Sequence, residues 1–150
     1  CGNFFCFLSS DNLFRESIIS YHSYSTPTVN NSSAVDYAIS VFSTNQGNKY
    51  QFNSSGTVAE TIEVIAGKTY SFSQIGTEQN HPFKLSVTPD GVHGGGISYN
   101  DGLTYTQGAT EFNFVPLKGT VDLYYYCTFH SGMGGKIRVL DYDNTSANEN

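Results

Sequence analysis

The stretch YYYCTFHSGMGG, residues 124–135, joins a strand-like segment to a short loop rich in glycine. Val121, Leu123, Tyr125 and Cys127 share one face of that segment, because side chains of a strand alternate between two faces. The shared face is apolar, so it predicts a strand whose last residue points its thiol into a core. A second strand-like segment follows the loop directly, which indicates two strands of one β-sheet.

Alternating segments continue on the N-terminal side of this stretch and indicate a β-rich domain. The expected strands cover residues 35–41, 49–53, 62–66, 70–72, 83–87, 112–114, 121–127 and 136–140. Residues 90–110 are rich in Gly, Asn and Asp and are expected to be mostly loop. About eight short strands without a long helical pattern predict an all-β fold, an antiparallel sandwich or barrel.

Composition limits the classes of protein that this chain can represent. A length of 150 residues predicts one domain, with 15% aromatic and only 13% charged residues. The net charge of −6 argues against nucleic acid as a partner and permits a basic protein partner through long-range attraction. No run of 18 apolar residues occurs, so the sequence predicts no transmembrane segment.

The flanking regions differ in character from the middle of the chain. Residues 1–33 are expected to form an irregular N-terminal extension with a short helix around Leu13 to Tyr21. Residues 34–142 are expected to form the folded domain, and residues 143–150 a disordered polar tail.

Three cysteines leave one without a partner inside the chain. Cys1 and Cys6 either form a small disulfide or stay free, and Cys127 is then the odd thiol. A lipid anchor would explain the start at Cys1, and a truncated gene explains it equally well. The expected location is periplasmic or extracellular, where an unpaired thiol needs a reason, and metal ligation supplies one.

Four residues have the types and spacing of a copper site. Cys127, His130 and Met133 form a C-x2-H-x2-M motif, and Met133 is the single methionine of the chain. His81 shares the parity of Phe83, so it also faces inward if its strand extends back to it. Two imidazoles, a thiolate and a weak thioether suit one copper ion per chain, of the blue-copper type. Zinc with a water ligand is the weaker alternative.

These residues resemble the cupredoxin family. Residues 61–72 are similar to the paired strands that precede the first copper histidine of plastocyanin-like proteins, and His81 matches that histidine. Cys127, His130 and Met133 match the other ligands, in a loop similar to that of amicyanins. The resemblance covers roughly residues 34–141. It implies an eight-stranded Greek-key sandwich and outer-sphere electron transfer.

One position departs from the family pattern. Plastocyanins usually have an asparagine after the first histidine, and its N–H donates to the cysteine sulfur. Pro82 stands there in this chain and has no N–H, which should change the redox potential. The Phe129 N–H is a candidate substitute. His93, in a glycine-rich segment, is interpreted as a solvated loop residue.

Two functions follow from the resemblance. The first is a one-electron carrier that exchanges with a redox protein such as a basic cytochrome. The second is a non-enzymatic structural or binding module, for example part of a surface or virion fibre protein. The motifs also resemble cupredoxin-like domains of marine bacteria and of the virion proteins of their phages. An enzyme is not expected, because four protein ligands leave no open position for a substrate.

Overall fold

The computed structural model describes residues 34–106 and 111–141. The predicted extension, its helix from Leu13 to Tyr21 and the polar tail all lie outside these ranges. So do Cys1 and Cys6, whose state therefore stays a prediction. Cys127 is the free cysteine of the described residues.

Within the described residues the chain is almost entirely β-structure, with nine strands and one short 3-10 helix, Gly91–Gly94. The strands are β1 (Val35–Thr44), β2 (Gly47–Phe52), β3 (Ile62–Ile65), β4 (Tyr70–Gln74), β5 (Phe83–Ser86), β6 (Leu103–Tyr105), β7 (Glu111–Phe114), β8 (Leu123–Cys127) and β9 (Gly135–Leu140).

The strands form two sheets. One sheet has the order β2-β1-β4-β7-β6, and the other has the order β3-β9-β8-β5. Phe72 of the first sheet stacks on Phe83 of the second, with ring centroids 5.8 Å apart. Phe52 and Tyr125 meet across the sheets edge to face at 5.0 Å. The sheets therefore share one core, in an arrangement like a β-sandwich.

Aromatic rings make up much of that core. Aromatic pairs in such geometries contribute about 0.5–1.5 kcal/mol each beyond the area they bury. The buried cluster comprises Ile39, Tyr50, Phe52, Ile62, Val64, Tyr70, Phe72, Phe83, Leu85, Phe112, Phe114, Leu123, Tyr125, Cys127, Met133 and Ile137. Cys127 and Met133, two of the predicted ligands, thus belong to the core itself.

The strand count and the strand directions differ from the sequence-based expectation. The ninth strand, β6, lies in the segment expected to be loop, where Leu103 pairs with Phe114 of β7. Two of the strand pairs, β1 with β4 and β3 with β9, are parallel rather than antiparallel. The Greek-key connectivity stays a prediction.

Local patterns also mispredicted some contacts. Val87 and Val121 are exposed, because β5 ends at Ser86 and β8 begins only at Leu123. The strands predicted to pair within residues 61–72 lie in different sheets. Strand β3 pairs with β9, whereas β4 pairs with β1 and β7. No helix within the described ranges is long and apolar enough to cross a membrane.

Strands β5 and β8 place the predicted ligands at the same end of their sheet. They run antiparallel, and Phe83 at the start of β5 pairs with Cys127 at the end of β8. His81 precedes β5 by two residues, and His130 follows β8 by three. The register therefore brings two segments far apart in sequence to one edge.

Candidate metal centre

The structure brings His81, Cys127 and His130 together. Their ligand atoms all lie within 4.8 Å of one another, and Cys127 is buried, His81 half-buried and His130 exposed. The Cys127 Sγ lies 3.6 Å from His130 Nδ1 and 3.9 Å from His81 Nδ1. The two imidazole rings lie 4.7 Å apart, centroid to centroid. Both rings thus present the same type of nitrogen to one sulfur.

These distances fit a shared metal ion. A thiolate at about 2.3 Å and an imidazole nitrogen at about 2.0–2.1 Å from one metal are separated by about 3.6–3.8 Å at tetrahedral to trigonal angles. The observed separation of 3.6 Å to His130 lies within that range, and the 3.9 Å to His81 lies just above it. The group can therefore hold a metal, and the set of one sulfur and two nitrogens favours copper or zinc.

A buried glutamine fixes the His81 backbone around Pro82. Gln74, at the end of β4, is only 3% exposed. Its Nε2 donates to the His81 carbonyl at 2.6 Å, and its Oε1 accepts from the Phe83 N–H at 3.2 Å. One side chain therefore satisfies the backbone groups on both sides of a proline that cannot donate.

Tyr50 contacts the same carbonyl. Its hydroxyl donates to the His81 carbonyl at 2.6 Å from a fully buried position in β2. Burial raises the pKa of Tyr50, and the adjacent Cys127 raises it further. The phenol therefore stays protonated and available as a donor beside the thiol.

Electrostatics at His81 favour the neutral ring that a metal requires. Partial burial lowers the pKa of His81, and the neighbouring His130 imidazole lowers it further. A neutral imidazole keeps a lone pair for coordination, and binding then displaces fewer protons.

Gly134 and Gly135 lie at the end of the ligand loop, the segment between β8 and β9 that carries His130. A Cβ on Gly134 would lie 1.6 Å from the Tyr125 carbonyl oxygen, so no other residue fits there. A Cβ on Gly135 would lie 2.6 Å from the Ala59 carbonyl oxygen. The loop therefore passes tightly over β8, which explains why its glycines directly follow the Met133 position.

Met133 lies in this loop and is 1% exposed. Its carbonyl accepts a hydrogen bond from the Tyr50 N–H at 2.9 Å, which ties the loop to β2. The side chain belongs to the apolar core. Its role as the fourth ligand stays a prediction.

His93 makes one contact that the sequence did not indicate. His93 is exposed, as predicted, but its Nε2 lies 2.9 Å from the Cys127 carbonyl oxygen. The Cys127 Sγ contacts the two imidazole nitrogens, and donation to it from the Phe129 N–H stays a prediction. The Thr128 N–H donates to the Pro82 carbonyl at 3.1 Å, which joins the two ligand segments.

The outer side of the site carries exposed side chains. His130 is exposed, and the neighbouring Phe129 side chain is 63% exposed. The Phe129 ring thus adds apolar area next to the exposed imidazole.

Comparison of the chain with protein-family models and with curated proteins gave no match. The function is therefore inferred from the residues of the site.

Proposed function

We propose that this protein binds one copper ion and acts as a one-electron carrier of the cupredoxin type. The observation that supports this most is the convergence of Cys127, His81 and His130 at separations that suit a single metal. Copper bound there would supply a centre that alternates between two oxidation states.

The chemistry of the donors favours copper over zinc. A thiolate, two imidazoles and a thioether from Met133 are the ligand set of blue-copper electron-transfer sites. A structural zinc site more often has four strong donors, and a thioether is a weak one. Met133 is buried and lies in the short loop that follows Cys127 and carries His130.

The residues around the ligands suit electron exchange because they restrict motion. Gln74 and Tyr50 hold the His81 backbone, and Cys127 ends a strand inside the core. A rigid site changes little in geometry when the charge of its metal changes. The protein thereby contributes a fixed arrangement of donors.

Electrons would leave through His130. Its ring and the Phe129 side chain beside it are both exposed, so a partner can cover the apolar Phe129 ring without desolvating a charge there. The net charge of −6 would steer a basic partner such as a cytochrome toward the protein. In this proposal the metal site is non-enzymatic. The fold has the Greek-key connectivity of cupredoxins. The protein works in the periplasm or outside the cell.

Voltammetry of the copper-loaded protein, followed by mixing with a reduced basic cytochrome, tests this function. We expect a reversible one-electron wave and an exchange rate that falls as salt is added. Copper binding without a reversible wave, or without exchange with the cytochrome, would instead favour a structural or binding module that retains the fold.

A further inference from the structure

The segment from Asp90 to His93 contacts the ligand loop at two points. Both carboxylate oxygens of Asp90 accept from the Gly132 N–H, at 3.0 and 3.1 Å. The His93 Nε2 lies 2.9 Å from the Cys127 carbonyl, which can only accept, so the ring nitrogen donates. One short segment thereby contacts the beginning and the end of the loop that carries His130.

Lys49 approaches Gly132 from β2. Its ammonium donates to the Gly132 carbonyl, and both Lys49 and Asp90 are half-buried. Gly132 therefore has its N–H on a carboxylate and its C=O on an ammonium. Hydrogen bonds to charged groups are roughly twice as strong as neutral ones. The glycine has a φ of 74°, so these contacts hold a conformation that other residues rarely adopt.

The segment that carries Asp90 is itself specialised. Asp90 has a φ of 57°, in the left-handed region. Gly91 follows with a φ of 52°, and a Cβ there would lie 2.5 Å from the Tyr126 ring. The segment thus packs directly on the face of β8 opposite Cys127. Unusual backbone at two successive residues is common where a local geometry has a functional use.

We propose that Asp90 is a positioning residue of the metal site, assisted by Lys49 and His93. The three side chains fix the loop between Cys127 and Met133, so that His130 already points at the sulfur before metal enters. The contacts involve protein groups alone and therefore act on the loop independently of the metal. This inference rests on the proposed metal-binding function.

Substitutions at Asp90 test it. Asp90→Gly removes the carboxylate and tolerates the left-handed backbone, whereas Asp90→Asn retains one acceptor for the Gly132 N–H. The matched control is Asp141→Ala, since Asp141 also accepts from a glycine N–H, that of Gly119 at 3.0 Å, beyond the far end of β9. Affinities for Cu(II) and Zn(II) are measured by competition with a chelator, and the copper absorption spectrum is recorded.

We expect Asp90→Gly to weaken both metals by about 10- to 100-fold, the usual effect of removing a group that orients a ligand. Asp90→Asn should fall between Asp90→Gly and wild type, and Asp141→Ala should match wild type. The copper spectrum should change in Asp90→Gly, because His130 is no longer held in one orientation. Lys49→Met should also lower the affinity for both metals. If Asp90→Gly does not fold, the affinity of Lys49→Met tests the positioning role.

The outcomes separate this inference from the proposed function. If wild type binds copper and the Asp90 and Lys49 variants equal the Asp141 control in affinity and spectrum, the positioning role is wrong and the metal site stands. If wild type binds neither metal, both proposals fail together.

Discussion

The two donors on the His81 carbonyl lead to a double-mutant prediction. Tyr50→Phe removes one donor and leaves the other, Gln74 Nε2, at 2.6 Å. Gln74→Leu removes that second donor, a bond to the Thr77 hydroxyl, and the acceptor of the Phe83 N–H. Combining the two changes leaves the His81 carbonyl without either donor.

The magnitudes follow from these contacts. Loss of one hydrogen bond in Tyr50→Phe should lower the free energy of unfolding by about 0.5–1.5 kcal/mol. Gln74→Leu should cost about 2–5 kcal/mol, because three hydrogen bonds disappear and the buried Phe83 N–H loses its acceptor. The double mutant should exceed the sum of the two by about 1–2 kcal/mol, since the carbonyl loses both donors.

Urea unfolding of the metal-free protein, with Tyr125→Phe as the control, measures this coupling. The Tyr125 hydroxyl donates to the Glu60 carbonyl at 2.6 Å, so it is equally buried but shares no acceptor with Gln74. Tyr125→Phe and Gln74→Leu should therefore be additive within about 0.5 kcal/mol. Equal additivity in both cycles would show that Tyr50 and Gln74 do not cooperate in holding His81.

Three further predictions concern the metal, the exchange surface and the surface charges. Met133→Leu should retain copper and raise the reduction potential, because a weak donor that favours Cu(II) is lost; an unchanged potential in voltammetry would show that Met133 only packs. Phe129→Glu should slow electron exchange with a basic cytochrome and preserve the copper spectrum. The control Val121→Glu, at a side chain that is 62% exposed near the start of β8, should leave the exchange rate unchanged. Equal rates in both variants would place the exchange surface elsewhere. A hydrogen bond from Lys136, with a second from the Val139 N–H, lowers the pKa of Asp122. A carboxyl group whose pKa is lower in the folded than in the unfolded protein stabilises the fold at pH values above the unfolded-state pKa. This stabilisation is lost as the pH falls through the folded-state pKa. Asp122→Asn should therefore reduce the urea midpoint at neutral pH and approach wild type in acid, and a difference independent of pH would contradict the assignment.

Local patterns in the sequence predicted eight of the nine strands and the loop that carries two of the three converging ligands. Alternation in residues 123–127 and 83–85 predicts inward faces, and the structure buries Leu123, Tyr125 and Cys127 on one of them. The glycines after Cys127 predict a tight loop, and the packing of Gly134 against β8 explains them. The C-x2-H spacing predicts that Cys127 and His130 lie close together, whereas the approach of His81, 46 residues away in sequence, was predicted from the resemblance to the cupredoxin family.

Long-range contacts were not accessible to the same reasoning. The parallel pairing of β1 with β4 depends on which sheet each strand enters, and alternation carries no information about that choice. The roles of Gln74 and Asp90 depend on side chains that meet backbone groups of distant segments. A polar residue in a strand or turn gives no sequence signal of such a partner, so only the fold reveals them.

Absorption spectroscopy during titration with Cu(II) tests the central claim most directly, with Cys127→Ser measured in parallel. The predicted result is an intense visible band from thiolate-to-copper charge transfer that saturates at one equivalent in wild type and is absent in Cys127→Ser. A wild-type protein that binds copper without this band, or a Cys127→Ser variant with the same colour and affinity, would contradict the assignment of a blue-copper site.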